Sequence, residues 1–434
     1  MAEIRPFKGL LYDADKIGAD YSSVVAPPYD VISESQREEL YEANEYNVIR
    51  LILGKDIEGD GGNSNKYARA KALLDKWQEE GVLARDKDDG FYVYLQEYEH
   101  KGKKFRRAGF IGLMKIGESA GDTLLPHEHT LAKHKEDRMN LIKQVEGNLS
   151  PIFSLYHDAE GKMKDVLEEG MAAAEPAIDI TVDGERNAVW RISDPASINK
   201  MVSWMKGKNL FIADGHHRYE VARMYRDMRR REKGYDGSAD HVMMYFTDMA
   251  DPRDLTIMAT HRAIKVMPAG EDEVISGLGK YFEVVTCADL SEMMEALEKG
   301  AARGHVFGYF GGKKYVLIRP RNRDKILGMI TDNKKTEDWK NLDVSVLHSA
   351  IFEKILSVSG KEGNITYVKV PEEAEALVKN GNHMAAFFLN PTRVEQMKAV
   401  AEHGEMMPQK STYFYPKLLS GLVINLFENA KVKA

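Results

Sequence analysis

Residues 210–230, LFIADGHHRYEVARMYRDMRR, begin as an apolar run and end as a basic helix, with Asp214, Gly215, His216, His217 and Arg218 packed into the join. Leu210 to Ala213 have the length and composition of a buried strand, and the spacing from His217 onward is helical. A strand running straight into a helix is the unit from which α/β folds are built, so the stretch predicts a mixed α/β chain. It also predicts a place for chemistry. The first turn of a helix presents unpaired amides and a partial positive charge, and together these hold anions. Gly215 lets the backbone approach an oxyanion closely. Arg218 offers a planar fork suited to phosphate, and His216 and His217 add donors. Asp214 does not suit a plain anion sink, so it is expected to hold Mg²⁺ beside phosphate oxygens or to orient a hydroxyl. Alternatively, Asp214 caps the helix, the histidines are surface polar groups, and Arg218 pairs weakly with Glu220.

Outward from this turn, period-two and period-3.6 apolar patterns alternate along all 434 residues. Such a length predicts two or three domains of about 100–200 residues each. Ser33 and Gln36 form a capping-box pattern, and NVIRLIL (47–53) reads as a buried strand. Residues 66–81 have helical spacing with a glycine stop, and FYVYLQEYE with FRRAGFIGLMKI reads as a hairpin turning at 101–104. Asp183-Gly184 marks a second hairpin, and Asp194-Pro195 opens a helix. The polar ADPRD after HVMMYFTDM is the best boundary, dividing 1–250 from a second α/β domain at 251–434. Beyond it FEVVTC, NITYVKV and HMAAFFL are expected strands. GYFGGKK is a hairpin turn rather than a dinucleotide loop, since the G-x-G-x-x-G spacing is missing.

With 61 Lys+Arg against 68 Asp+Glu, the net charge of −7 supplies no global pull toward nucleic acid or anionic lipid. Cys287 is the single cysteine, which excludes an internal disulfide framework and a four-cysteine zinc site. No signal-peptide core or run of roughly 18 apolar residues occurs, so a cytoplasmic protein without membrane or nucleic-acid partners is expected. The sequence does not fix an oligomeric state.

A second polar cluster, LLPHEHTLAKHKEDR (124–138), packs histidines, acids and cations into one short stretch. Glu128 is placed to act as a general base on an acceptor hydroxyl, with Thr130, Lys133 and Arg138 holding a phosphoryl group. His127 and His129 with His216 or His217 form the competing metal-binding picture, although the spacing is not the helical one of zinc proteases. A solvated charged loop is the third. No Walker-type G-x-x-x-x-G-K-[S/T] is present. Asp30 in VVAPPYDVIS stands either at a pocket wall or on a packed corner. Lys410, Ser411, Thr412, Tyr413 and Lys417 of MPQKSTYFYPK either add a cation or hydroxyl to a site from the second domain or form an aromatic edge strand. His261 and Arg262 are a possible pocket pair, more often structural.

DGHHRYEVA resembles the Gly-x-His-Arg-Tyr type box of the ParB/sulfiredoxin-like fold, and LPHE resembles the Pro-His-Glu segment of free-serine kinases built on that fold. With IRPFKGLLYD, VVAPPYDVIS, YNVIRLILGK, SPIFSLY and MPQKSTYFYPKLLSGLV, the chain resembles the family catalogued as domain of unknown function ten-fifteen. The resemblance implies a ParB/sulfiredoxin-like catalytic region with insertions in residues 1–250, closed by the second domain. It implies Glu128 as the base, and Asp214, His216, His217 and Arg218 around the donor phosphates and Mg²⁺. Two features depart from the kinase pattern: the roughly 85 residues between the boxes, and the residues after Glu128. The expected activity is phosphoryl transfer from a nucleotide or pyrophosphate to a small hydroxyl metabolite, free L-serine first. A nucleotide-binding regulatory module of ParB type and a phosphoester hydrolase are the alternatives.

Overall fold

The computed structural model describes residues 2–18, 20–118, 124–125, 132–250, 255–358 and 363–427, the side chains of 132–134 excepted. The chain forms two compact units. One runs to Thr256 and takes in the stretch from Pro416 onward; the other runs from Ile257 to Tyr415.

In chain order the first unit contains β1 (Ile4–Arg5), β2 (Leu10–Tyr12), α1 (Glu34–Ala43), α2 (Ile49–Ile52), α3 (Lys66–Glu79), β3 (Leu83–Arg85), β4 (Phe91–His100) and β5 (Lys103–Lys115). There follow β6 (Leu124–Leu125), α4 (Ala132–Val145), β7 (Gly147–Asn148), β8 (Ile152–Tyr156), α5 (Lys162–Ala172), β9 (Ile178–Val182) and β10 (Glu185–Ile192). Then come α6 (Pro195–Met205), β11 (Leu210–Asp214), α7 (His216–Arg229) and β12 (His241–Asp248). The main sheet has the order β6-β11-β8-β12-β5-β4-β10-β9, with β1 added against β5. β6 with β11 and β8 with β12 are parallel pairs, and the remaining neighbours are antiparallel. The sheet is therefore mixed, as expected for the α/β class.

Strand alternation gives this sheet two different faces. Phe91, Val93, Phe110, Met114, Val242, Met244 and Phe246 join Met163, Val166 and Leu167 of α5, Met201 and Met205 of α6, and Tyr219 and Ala222 of α7 in one apolar core. Tyr94, Gln96, Arg107 and Tyr245 point the other way and are also buried. Asp194 caps α6 by accepting from the Ser197 amide at 2.8 Å, with Pro195 at its first position, and Ser33 with Gln36 forms the capping box of α1. The Asp183-Gly184 turn has φ of 51° and 81°, the signature of a tight hairpin.

The run 47–53 is not a strand. It carries the short helix α2, because the Asn47 carboxamide clamps the Ser23 and Val25 carbonyls at 2.7 and 3.1 Å and accepts from the Ile49 amide at 2.8 Å. Ile49, Leu51 and Ile52 are buried in this form.

The second unit contains β13 (Thr256–Met258, whose first residue is the last of the first unit), β14 (His261–Ile264), α8 (Glu271–Gly279), β15 (Phe282–Cys287), α9 (Leu290–Gly300), β16 (Phe307–Phe310) and β17 (Tyr315–Pro320). Short helices α10 (Arg323–Leu327), α11 (Glu337–Lys340) and α12 (Asp343–Ser345) lead into a π-helical stretch, Val346–Leu356. β18 (Ile365–Val368), α13 (Pro371–Lys379), β19 (Ala385–Phe388), α14 (Val394–Glu402) and β20 (Tyr413–Tyr415) complete it, and β21 (Asn425–Leu426) returns to pair with β7 of the first unit. Its sheet, β15-β17-β16-β19-β14-β18, is antiparallel throughout and has its own apolar core with α9 and α13. Among the described residues, no helix is long and apolar enough to cross a membrane.

Candidate anion site at the turn after the eleventh strand

β11 is buried from Leu210 to Ala213, and its register against β8 shifts between Ile212 and Asp214. Such an irregularity re-aims the side chain that follows it. Gly215 then takes φ +94°, a left-handed conformation that glycine adopts without strain. A β-carbon there would lie 2.9 Å from Arg218 Nε, so the position is closed to side chains by space as well as by backbone. α7 starts at His216, and its N-cap residue makes no side-chain cap hydrogen bond. Asp214 is therefore free of the capping role considered for it and serves as an ion-pair centre.

One Asp214 oxygen accepts from Arg218 Nη2 at 2.6 Å, and the other accepts from Lys417 Nζ. The Asp214 side chain is 15% exposed, that of Arg218 13% and that of Lys417 10%. Burial alone would raise the Asp214 pKa. The Lys417 ammonium and the Arg218 guanidinium reverse this, with His216 adding to them, and hold the carboxyl well below its ordinary range. Arg218 Nη1 also donates to the Pro151 carbonyl, which fixes the plane of its fork. His216 is buried and His217 partly buried in the same helical turn.

Lys417 reaches this place because its backbone is fastened to the polar face of the sheet. Gln96 Nε2 donates to the Lys417 carbonyl at 3.1 Å, and Arg107 Nη2 donates to the Pro416 carbonyl at 2.5 Å. Tyr94 and Gln96 both donate to Asn187 Oδ1, at 2.6 and 3.1 Å, and the Leu419 amide reaches the Tyr94 hydroxyl at 3.4 Å. Arg107 is fully buried, with its guanidinium 4.7 Å from the Phe153 ring centre. Of the two readings of MPQKSTYFYPK, a cation or hydroxyl from the second domain or an aromatic edge strand, Tyr413–Tyr415 does form a short strand. Pro416 and Lys417, by contrast, belong to the first unit, together with Asp214.

Arg138 on α4 is buried and shares a small cavity of about 60 Å³ with Arg218, Tyr29 and Ser150. Its Nη1 donates to the Ile52 carbonyl at 2.8 Å and its Nε to Asp137 Oδ2 at 2.8 Å, while the guanidinium lies 3.9 Å from the Tyr29 ring centre. The cavity admits a few waters, not a nucleotide. Tyr29 packs inward and Asp30 is exposed, so the Pro27-Pro28 corner presents the tyrosine. Glu220 pairs with Lys135 at 3.1 Å, tying α7 to α4. Arg226, Arg229 and Arg230 are each engaged by an acid.

Glu128, Thr130, His127 and His129 lie outside the described residues, and Lys133 lies on α4 with its side chain outside them. The expected meeting of the acidic box with the turn therefore also falls outside them. Both Asp214 oxygens already accept from cations, and no three His, Cys, Asp or Glu side chains converge as a metal site among the described residues. This arrangement does not fit the magnesium expected on Asp214.

A family model described as "Protein of unknown function (DUF1015)" matches residues 4–345. Among solved structures, one described as "Free serine kinase in complex with AMP" is 16% identical, at TM-score 0.33, and the match covers 68% of this chain and 85% of that one. A conserved hypothetical protein from Pyrococcus furiosus is 16% identical, at TM-score 0.33, covering 72% and 97%. SbnI with C-terminal truncation from Staphylococcus aureus is 11% identical, at TM-score 0.35, covering 71% and 85%. No curated protein matches the chain.

Proposed function

The chain belongs to the family described as "Protein of unknown function (DUF1015)", and we propose that this member is a phosphotransferase working at the turn between β11 and α7. One observation carries the proposal: Arg218 and Lys417, from distant parts of the sequence, converge on Asp214 at the first turn of α7. A helix N-terminus with two cations beside it is suited to a group that carries several negative charges, and a phosphoryl chain is the metabolic group of that kind. Gly215 leaves room for the Arg218 guanidinium to lie against the backbone, and Asp214 aims both cations.

In the proposed reaction the donor is a nucleotide or pyrophosphate and the acceptor a small hydroxyl metabolite, L-serine first. The acceptor oxygen forms a bond to phosphorus as the donor's bridging P–O bond breaks. The hydroxyl proton passes to Glu128, and the leaving phosphate carries away the bonding pair. The α7 amides, Arg218 and Lys417 hold the charge that spreads over the transferred group.

The test incubates the full chain with Mg²⁺ and ATP, ADP or pyrophosphate, with and without L-serine, and follows phosphoserine and free phosphate. Serine-dependent phosphoserine that falls at least about a hundredfold in Arg218→Ala and in Glu128→Gln, with folding intact, supports the proposal. Phosphate release independent of an acceptor makes the protein a hydrolase. Donor binding without turnover makes it a regulatory module, and equal rates in wild type and both variants end the assignment of these residues.

A further inference from the structure

β8 runs antiparallel to β11, so Asp214 sits opposite Phe153 at the start of β8, and Tyr156 marks the opposite end of that strand. There, beyond the carboxyl ends of the parallel pair β8 and β12, lies a second cavity of about 580 Å³. Crevices at the carboxyl ends of parallel strands are the usual ligand positions of α/β sheets, and this volume suits a small metabolite. The wall includes Tyr156 and Asp158 from the end of β8, Asp248 from β12, Lys164 and Glu168 from α5, and Arg106 from β5.

The charged groups on this wall are not all answered by one another. Arg106 and Glu168 form a two-pronged pair at 2.5 and 3.1 Å. Asp158 is held by the Met163 amide at 2.9 Å and by Lys208 at 3.3 Å. Two groups of opposite sign have no ion-pair partner among the described residues: Lys164, which makes no hydrogen bond there, and Asp248. Asp248 uses Oδ1 to accept from the Asp158 and Ala250 amides, at 2.8 and 3.0 Å, which leaves Oδ2 for the cavity. Tyr156 is 99% buried by area, yet its hydroxyl makes no hydrogen bond among the described residues. The hydroxyl is not sealed off, so it opens onto the cavity and offers a donor there.

We propose that this cavity binds a small zwitterion of the free α-amino acid class, its ammonium on Asp248, its carboxylate on Lys164, and a polar group in reach of the Tyr156 hydroxyl. Each unanswered charge then gains a partner of opposite sign, whereas a simple anion or a simple cation satisfies one and leaves the other. Burial raises the Asp248 pKa, the two amide bonds oppose this, and the neighbouring Asp158 charge adds to the rise. An ammonium at Oδ2 relieves that penalty. The site is separate from the turn at Asp214 and stands whether or not phosphoryl transfer occurs there.

The test is calorimetric titration of the full chain with L-alanine, which lacks the hydroxyl a phosphoryl acceptor needs, beside ethylamine and propionate as its two half-molecules. L-Alanine is expected to bind, and each half-molecule at least about tenfold more weakly. Asp248→Asn and Lys164→Met are expected to weaken L-alanine about tenfold or more. Lys164 is exposed, so its variant keeps the fold even if the Asp248 variant does not. Arg218→Ala is expected to leave the affinity unchanged. Absence of L-alanine binding at millimolar concentration, affinity indifferent to Lys164→Met, or loss in Arg218→Ala alone overturns the proposal.

Discussion

Lys417 and Asp214, 203 residues apart in the sequence, form an ion pair inside the first unit, with Arg218 on the second carboxylate oxygen. A carboxylate this enclosed is tolerated because two cations answer its charge. Lys417→Met is expected to cost about 1–3 kcal/mol of stability, read by urea denaturation, because it leaves Asp214 with one partner. Asp214→Asn with Lys417→Met is expected to cost clearly less than the sum of the single changes, as it should for groups in direct contact. Additive costs would show that the pair contributes nothing specific.

Gly215 separates backbone strain from steric exclusion when compared with Gly184. Both have positive φ, +94° and +81°, but a β-carbon at Gly184 meets nothing within 4 Å, and one at Gly215 meets the Arg218 guanidinium. Gly184→Ala is expected to cost about 1 kcal/mol, the backbone penalty alone. Gly215→Ala is expected to cost about 2–3 kcal/mol and to weaken pyrophosphate binding, since Arg218 must move. Equal melting shifts and unchanged pyrophosphate affinity would remove the steric part of the argument.

The same residues show what is legible in a sequence and what is not. Alternating apolarity located β4 and β5, and Asp183-Gly184 located the second hairpin, because these signals are local. The turn at Asp214–Arg218 was legible for the same reason. The run 47–53 was misread because an unbroken apolar run has no period to choose between strand and helix, and the choice was made by Asn47 binding carbonyls more than twenty residues away. Lys417 could be named as a candidate cation but not placed. Its position depends on Gln96 of β4 and Arg107 of β5, buried polar residues on two paired strands whose other face carries the apolar pattern. Tyr156 reads as one more aromatic in a buried strand, and no sequence signal says that its hydroxyl lacks a partner.

Arg107 tests that dependence. Its guanidinium is fully buried and donates to the Pro416 carbonyl and to Gln96, so it fastens the chain segment that delivers Lys417. Arg107→Met preserves much of the volume and removes both bonds. It is expected to cost about 2–4 kcal/mol and to speed proteolytic cleavage near residues 416–420 well beyond what Lys417→Met does. Cleavage no faster than in Lys417→Met would mean that the segment is held by its apolar residues alone.

His348 and His261 give the second unit an acid-sensitive centre. Burial, with the nearby Arg262 charge adding to it, pushes each imidazole down to about 3 from its usual 6.5. Arg262 Nε donates to His348 Nε2 at 3.3 Å, a bond that requires the neutral ring. Above pH 6.5 both rings are neutral in the folded and unfolded chain, and stability is flat with respect to them. As pH falls from 6.5 toward 3, the unfolded chain takes up protons that the folded unit refuses, so stability is lost over that window. Asp214 behaves differently, because its folded pKa lies below the unfolded 3.8 and its contribution is lost only as pH falls below about that value. Hydrogen exchange of β14 and β19, corrected for the intrinsic pH dependence of amide rates, is therefore expected to show protection falling by on the order of 1–3 kcal/mol between pH 7 and pH 4.5. His348→Gln, which keeps an acceptor without a titrating ring, is expected to flatten about half of that slope. Equal protection at the two pH values in the wild-type chain would mean that the buried rings do not set the acid limit of this unit.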